Sequence, residues 1–125
     1  MTPSIDRRLA RASILAMGLS AAALAPTAAG AGEDASALEA GKQIAFTRSL
    51  GNCIACHVMP GGESPGTIGP PLVAMQARYQ DKAKLREQIW DATQVNPTSA
   101  MPPFGKNEIL TEEQIDQLVD FIYTL

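Results

Sequence analysis

The single histidine and the only two cysteines of this 125-residue chain fall within five consecutive positions, Cys53-Ile54-Ala55-Cys56-His57. A disulfide between thiols three positions apart would add little, because the gain grows with the length of the closed loop. Thiol–disulfide enzymes of thioredoxin type use the same Cys-x-x-Cys spacing, but on a βαβ scaffold, and this chain shows no convincing strand. A structural zinc site takes four protein ligands, and one imidazole with two thiolates falls one short. What remains is a covalently held group. C-x-x-C-H is the attachment pattern of c-type haem: the thiols add across two vinyl groups on one ring edge, and the next residue projects beneath the ring. On this reading Cys53 and Cys56 anchor one haem c, and His57 is the proximal iron ligand.

Arg7, Arg8 and Arg11 precede a small, apolar run from Ala12 to Ala25, and Ala29-Gly30-Ala31 has the A-x-A form that signal peptidase accepts. The run is shorter than the roughly 20 residues that cross a bilayer, and Pro26 ends it. Residues 1–31 are therefore expected to be a cleaved signal peptide directing export to the periplasm. Residues 32–125 are the expected mature domain, with no membrane span. That domain has 94 residues, seven Lys and Arg, twelve Asp and Glu, and a net charge of −5. Without a basic run, nucleic-acid binding is excluded. The acidic balance suits basic docking surfaces on partners. A domain of this size buries only roughly 60–65% of its unfolded surface, so a staple is expected, and covalent haem supplies one.

The remaining pattern is all-α with stiff loops. A first helix is expected from Ser36, as N-cap with Glu39 as its capping-box partner, to about Ser49. Its buried stripe comprises Ala37, Leu38, Gly41, Ile44, Ala45 and Phe46. Residues 60–71, PGGESPGTIGPP, hold four prolines and four glycines, which exclude regular structure. Leu72, Met75 and Tyr79 mark a short helix, and Asp81 opens another that presents Leu85, Ile89 and Ala92 until Asn96-Pro97 breaks it. After a second proline-rich loop, Thr111 and Gln114 cap a last helix whose apolar face is Ile115, Leu118, Val119, Ile122 and Leu125.

With no second histidine, the sixth iron ligand is a methionine, something weaker, or absent. Met59 follows His57 by two residues and stays on the proximal side. Met75 sits on the apolar stripe of Leu72, where a methionine serves as core filler. Met101 stands on a loop whose backbone Pro102 and Pro103 fix. A weakly binding thioether needs such a setting, so Met101 is the expected second ligand and the site suits electron transfer. The Pro70 carbonyl could accept a hydrogen bond from His57 Nδ1–H, or the Pro70-Pro71 pair could simply make a rigid turn. Trp90, Arg78 and Arg86 are candidates for propionate contacts, against plain roles as core aromatic and surface charges.

Four blocks, GNCIACH (51–57), PGTIGPPL (65–72), NPTSAMPPFG (96–105) and ILTEEQIDQLVDFIYTL (109–125), resemble in order and wording the SoxX family. SoxX is the monohaem subunit of the SoxAX cytochromes of bacterial sulfur oxidation. The resemblance covers most of residues 37 to 125. It implies an all-α, class I cytochrome c-like fold wrapped around one covalent haem, with Phe121 packed on the first helix near Gly41. The chain departs from common class I cytochromes in two places. Four extra residues separate the first helix from Cys53, and Val73-Ala74 stands where a glycine often follows. By the resemblance, the chain pairs with a SoxA-like cytochrome subunit that carries the catalytic cysteine-ligated haem. The complex is an L-cysteine S-thiosulfotransferase, which couples thiosulfate oxidatively to a cysteine of the carrier SoxYZ and releases two electrons. This subunit would pass them to a soluble cytochrome c. It would not be catalytic alone, because both of its thiols are consumed in thioethers. The partner is expected at the haem edge near Ile54, Val58, Met59 and Pro60. The alternative is a free periplasmic class I shuttle serving another oxidoreductase.

Overall fold

Thr111 begins the best-defined element. Its side-chain oxygen accepts the Gln114 N–H at 3.2 Å, and its own N–H donates to Gln114 Oε1 at 3.0 Å, a complete capping box. In this computed structural model, which describes residues 30–125 and side chains from residue 34, the helix so started is the last of four. They are α1 (Gly30–Phe46), α2 (Met75–Arg78), α3 (Lys82–Trp90) and α4 (Glu112–Tyr123), with 3₁₀ turns at Cys53–Ala55 and Ala92–Gln94. No strand occurs among the described residues. The architecture is the all-α, class I cytochrome c-like fold. The expected leader, residues 1–31, lies outside the described residues apart from Gly30 and Ala31, which open α1. Among the described residues, no helix is long and apolar enough to cross a membrane.

α1 passes through Ser36, which is not its cap. Ala35, Ala37, Glu39 and Ala40 all favour helix, so a capping-type residue within such a run has no reason to start one. The helix also stops at Phe46, before the expected Ser49, because the Gly51 N–H turns back to the Ile44 carbonyl at 3.0 Å. α1 crosses α4 at Gly41, where a Cβ would lie 2.7 Å from the Gln117 carbonyl carbon and 2.8 Å from Phe121 Cβ. Phe121 packs beside Gly41 as expected, and its ring meets Phe46 edge-on at 6.3 Å. α4 buries Ile115, Leu118, Val119, Phe121 and Ile122. Against them α3 sets Leu85 and Ile89, with Arg86 paired to Asp116 at 2.6 Å and Lys82 to Asp120 on the surface. Exposed pairs of this kind are worth only ~0–1 kcal/mol each. The apolar faces carry the packing.

α2 is shorter than the 72–79 pattern suggests. The Leu72 N–H is committed to the Val58 carbonyl at 2.8 Å, and Ala74 adopts a left-handed conformation (φ 51°). A non-glycine residue there costs roughly 1–2 kcal/mol. The position is the one left without its usual glycine. Ala74→Gly is therefore expected to be neutral or to stabilise by up to ~1 kcal/mol, once the added freedom of the unfolded chain is offset against relief of strain. Chemical denaturation of the haem-loaded protein checks this; a loss of ~1 kcal/mol, usual for Ala→Gly in a helix, would contradict it.

Candidate haem site

The end of α1 aims the Cys-x-x-Cys-His segment. Asn52 takes a left-handed conformation (φ 46°) and starts the 3₁₀ turn, which the Ala55, Cys56 and His57 N–H groups close on Asn52 and Cys53 carbonyls at 2.9–3.2 Å. The glycine-rich loop then latches onto this turn: Gly66 N–H donates to the Ile54 carbonyl at 2.9 Å and Gly69 N–H to the Cys56 carbonyl at 2.8 Å. Both approaches exclude a side chain. A Cβ on Gly66 would overlap the Ala55 carbonyl, and one on Gly69 would sit 2.6 Å from His57 Nδ1. His57 Nδ1 lies 2.7 Å from the Pro70 carbonyl oxygen. A carbonyl can only accept, so Nδ1 carries the proton of this bond, and in the neutral imidazole Nε2 is then the nitrogen with the lone pair.

These residues wall a cavity of about 610 Å³, within the ~300–1,000 Å³ range of sites for small molecules and cofactors. Cys53, Cys56, His57, Pro70 and Met101 all line it. So do Met75 and Arg78. Met75 is buried, and its sulfur accepts from Arg78 Nη1 at 3.4 Å, a group that also donates to the Pro71 carbonyl at 2.7 Å. That thioether belongs to the core. Met101 is half-buried on the loop after the second 3₁₀ turn, its N–H bonded to Ser99 Oγ at 3.2 Å. Trp90 does not line the cavity: it packs on Gly105, with the Arg86 guanidinium 5.2 Å from its ring. Arg86 is occupied by Asp116 and Glu112, and among the described residues Arg78 is the only Lys or Arg on the wall. Among the described residues no acidic side chain lines it either, so the chain's net negative charge is not focused on this cavity.

Burial pushes the Cys53 thiol up to about 11, reinforced by the neighbouring Cys56. A thiol held protonated at neutral pH is a poor nucleophile, which disfavours disulfide exchange. Nor does any group of three or more His, Cys, Asp or Glu side chains converge among the described residues, as a zinc site would need. Two thiols three positions apart, an imidazole whose Nδ1 faces a carbonyl and a thioether on one largely apolar wall form a donor set that fits haem c.

Residues 36–122 match the family described as cytochrome c oxidase, cbb3-type, subunit III. A solved structure, SoxXA from P. pantotrophus, contains a chain 33% identical to this one, with a TM-score of 0.62 over 69% of this chain and 79% of that one. The chain belongs to the c-type cytochromes and is of the SoxX type. No curated protein sequence matches it. A SoxX-type cytochrome transfers electrons, and membership of the c-type cytochromes implies covalent haem c.

Sequence reasoning placed Met59 at the exposed partner face. It is 3% exposed and packs in the core, because its backbone already turns inward where its carbonyl accepts the Gly62 N–H. Ile54 is half-buried under Gly62, whereas Ala55, Val58 and Pro60 are exposed. Reasoning from periodicity also missed Gly66 and Gly69. The signal available was a glycine directly before Pro70-Pro71 in a loop tied by proximity to His57.

Proposed function

We propose that this chain is the electron-transfer subunit of a SoxAX-type complex. Cys53 and Cys56 would hold one haem c, and His57 Nε2 and Met101 Sδ would ligate its iron. The single observation that carries the reading is the common wall: both thiols, an imidazole with its Nδ1 proton committed to Pro70, and Met101 line one cavity in a chain 33% identical to a chain of SoxXA. When bound, haem c supplies a one-electron couple, raised in potential by Met/His ligation. The Pro70 carbonyl, 2.7 Å from Nδ1, fixes the orientation of the His57 ring. Met101 occupies the position that a small ligand would otherwise take. Residues 1–31 act as the export signal and residues 32–125 as the periplasmic domain.

The expected partners are a SoxA-like cytochrome, the SoxYZ carrier reached through it, and a soluble cytochrome c as acceptor. Both thiols of this chain are spent on thioethers, so the catalytic sulfur belongs to the SoxA-like subunit and the sulfur that receives thiosulfate to the carrier. The SoxA-like subunit docks on the exposed side of the Cys-x-x-Cys-His turn, where Val58, 36% exposed, and Pro60 face outward. Val58→Asp is expected to weaken that pairing at least about tenfold, the ~1.4 kcal/mol that burying one unpaired carboxylate easily exceeds. Titration against the partner subunit measures it, and unchanged affinity would move the docking face elsewhere. The proposal as a whole is tested by following haem absorbance through purification from the host periplasm and weighing the intact assembly. A 1:1 complex with a second, larger cytochrome supports it. A lone chain carrying haem would favour the free shuttle instead.

A further inference from the structure

The loop bearing Met101 has two ends that meet. At its start stands Asp91, the only charged side chain buried among the described residues, at 2% exposure. Its Oδ1 accepts the Thr93 N–H at 3.1 Å and the Thr93 hydroxyl, which turns the chain out of α3. At the far end, Lys106 Nζ reaches Asp91 Oδ2 at 3.0 Å, and the Gly105 and Lys106 N–H groups both donate to the Trp90 carbonyl, at 3.1 and 3.3 Å. Gly105 has no side chain to hold this neck open; a Cβ there would run into the Trp90 ring. Between the ends, hydrogen bonding is local. Asn96 Oδ1 accepts from Thr98, and Ser99 Oγ accepts from Met101. Among the described residues, no backbone hydrogen bond ties 97–102 to another element. The loop is therefore fixed at its neck and by packing at its tip.

We propose that Asp91 is a positioning residue for Met101: the Asp91–Lys106 clasp closes the neck of the loop and holds the thioether at the cavity. This inference rests on Met101 being an iron ligand. A buried carboxylate suits the task because one side chain caps the 3₁₀ turn and meets the cation from the returning strand of the loop, joining both ends at a single point. Removing Lys106 leaves the Asp91 carboxylate, 2% exposed, without its counter-charge, and neutralising Asp91 frees the solvent-facing Lys106 from the neck; either change favours opening. Opening confined to one loop is the usual low-energy excursion of a packed domain. It would release the weakest ligand first.

The test uses the full, haem-loaded protein with four substitutions. Asp91→Asn keeps an acceptor for Thr93 but loses the charge pair. Lys106→Met removes the cation from the solvent side, where Lys106 is 58% exposed, and should fold even if Asp91→Asn does not. Met101→Ala is the reference for a lost ligand, and Lys84→Met removes an exposed pair with Glu87 as control. Three readouts are compared: the ferric thioether-to-iron absorption band, the affinity for added imidazole, and amide exchange. Asp91→Asn and Lys106→Met are expected to weaken the band and to raise imidazole affinity at least about tenfold, or ~1.4 kcal/mol. Exchange should quicken at residues 95–104, with α1 and α4 amides and the Lys84→Met protein unchanged. A merely structural pair would speed exchange throughout and leave imidazole affinity alone. Wild-type affinity and loop exchange in both clasp variants, with Met101→Ala raising the affinity, would overturn the clasp. An unaltered band and affinity in Met101→Ala would remove the ligand assignment and the clasp with it.

Discussion

Gly69→Ala is expected to cut the recovery of haem-loaded protein at least about tenfold, although it adds one methyl group. The new Cβ would lie 2.6 Å from His57 Nδ1 and 2.8 Å from Nε2, inside the van der Waals envelope of the ring. Neither side can yield. The imidazole is held by the Pro70 carbonyl at 2.7 Å, and the Gly69 backbone by its own N–H bond to the Cys56 carbonyl at 2.8 Å. Forcing an extra carbon into a packed site costs ~1–3 kcal/mol, and a tenfold loss corresponds to ~1.4 kcal/mol. The cost falls on His57, the residue proposed to ligate the iron. Haem per chain, read from absorbance, is the measurement; full loading with the wild-type potential would mean that the ring sits elsewhere.

Met101→Ala is the second large effect. Haem should stay attached, because neither thiol nor imidazole is touched. The reduction potential should fall by roughly 0.1–0.3 V, part of the ~0.8 V range that axial ligands cover, and the ferric protein should take up added imidazole. Met75→Ala provides the contrast. Met75 is buried, with its sulfur bonded to Arg78, so its truncation should cost ~2–5 kcal/mol of stability and leave the ligand set unchanged. An unchanged potential in Met101→Ala, with a shifted one in Met75→Ala, would exchange the roles of the two methionines.

What was legible in the sequence had short-range causes. The capping box of α4 is written in T-x-x-Q and its buried face in the spacing of Ile115, Leu118 and Ile122, so both follow from local geometry. The Cys-x-x-Cys-His turn is legible for the same reason, since five consecutive residues hold its chemistry. Where tertiary approach decides, the pattern misleads. Ser36 and Glu39 form a capping signature inside α1, because the helix already runs from Gly30 through them. Ala92 continues the apolar spacing of Leu85 and Ile89, yet α3 ends at Trp90, since Asp91 uses its carboxylate on Thr93 and Lys106. Met59 looks like a neighbour of the exposed haem edge but turns into the core. Phe104 and Leu110 are buried from a loop without any period that would mark them.

Covalent haem on Cys53 and Cys56 is the claim on which the rest depends. The most direct test is tryptic digestion of the native protein with alkylation of free thiols, because cleavage after Arg48 and Arg78 isolates Ser49–Arg78 with both cysteines and His57. The expected result is that peptide carrying one haem and no alkylated thiol. The same peptide found without haem, and alkylated at both cysteines, would contradict the account.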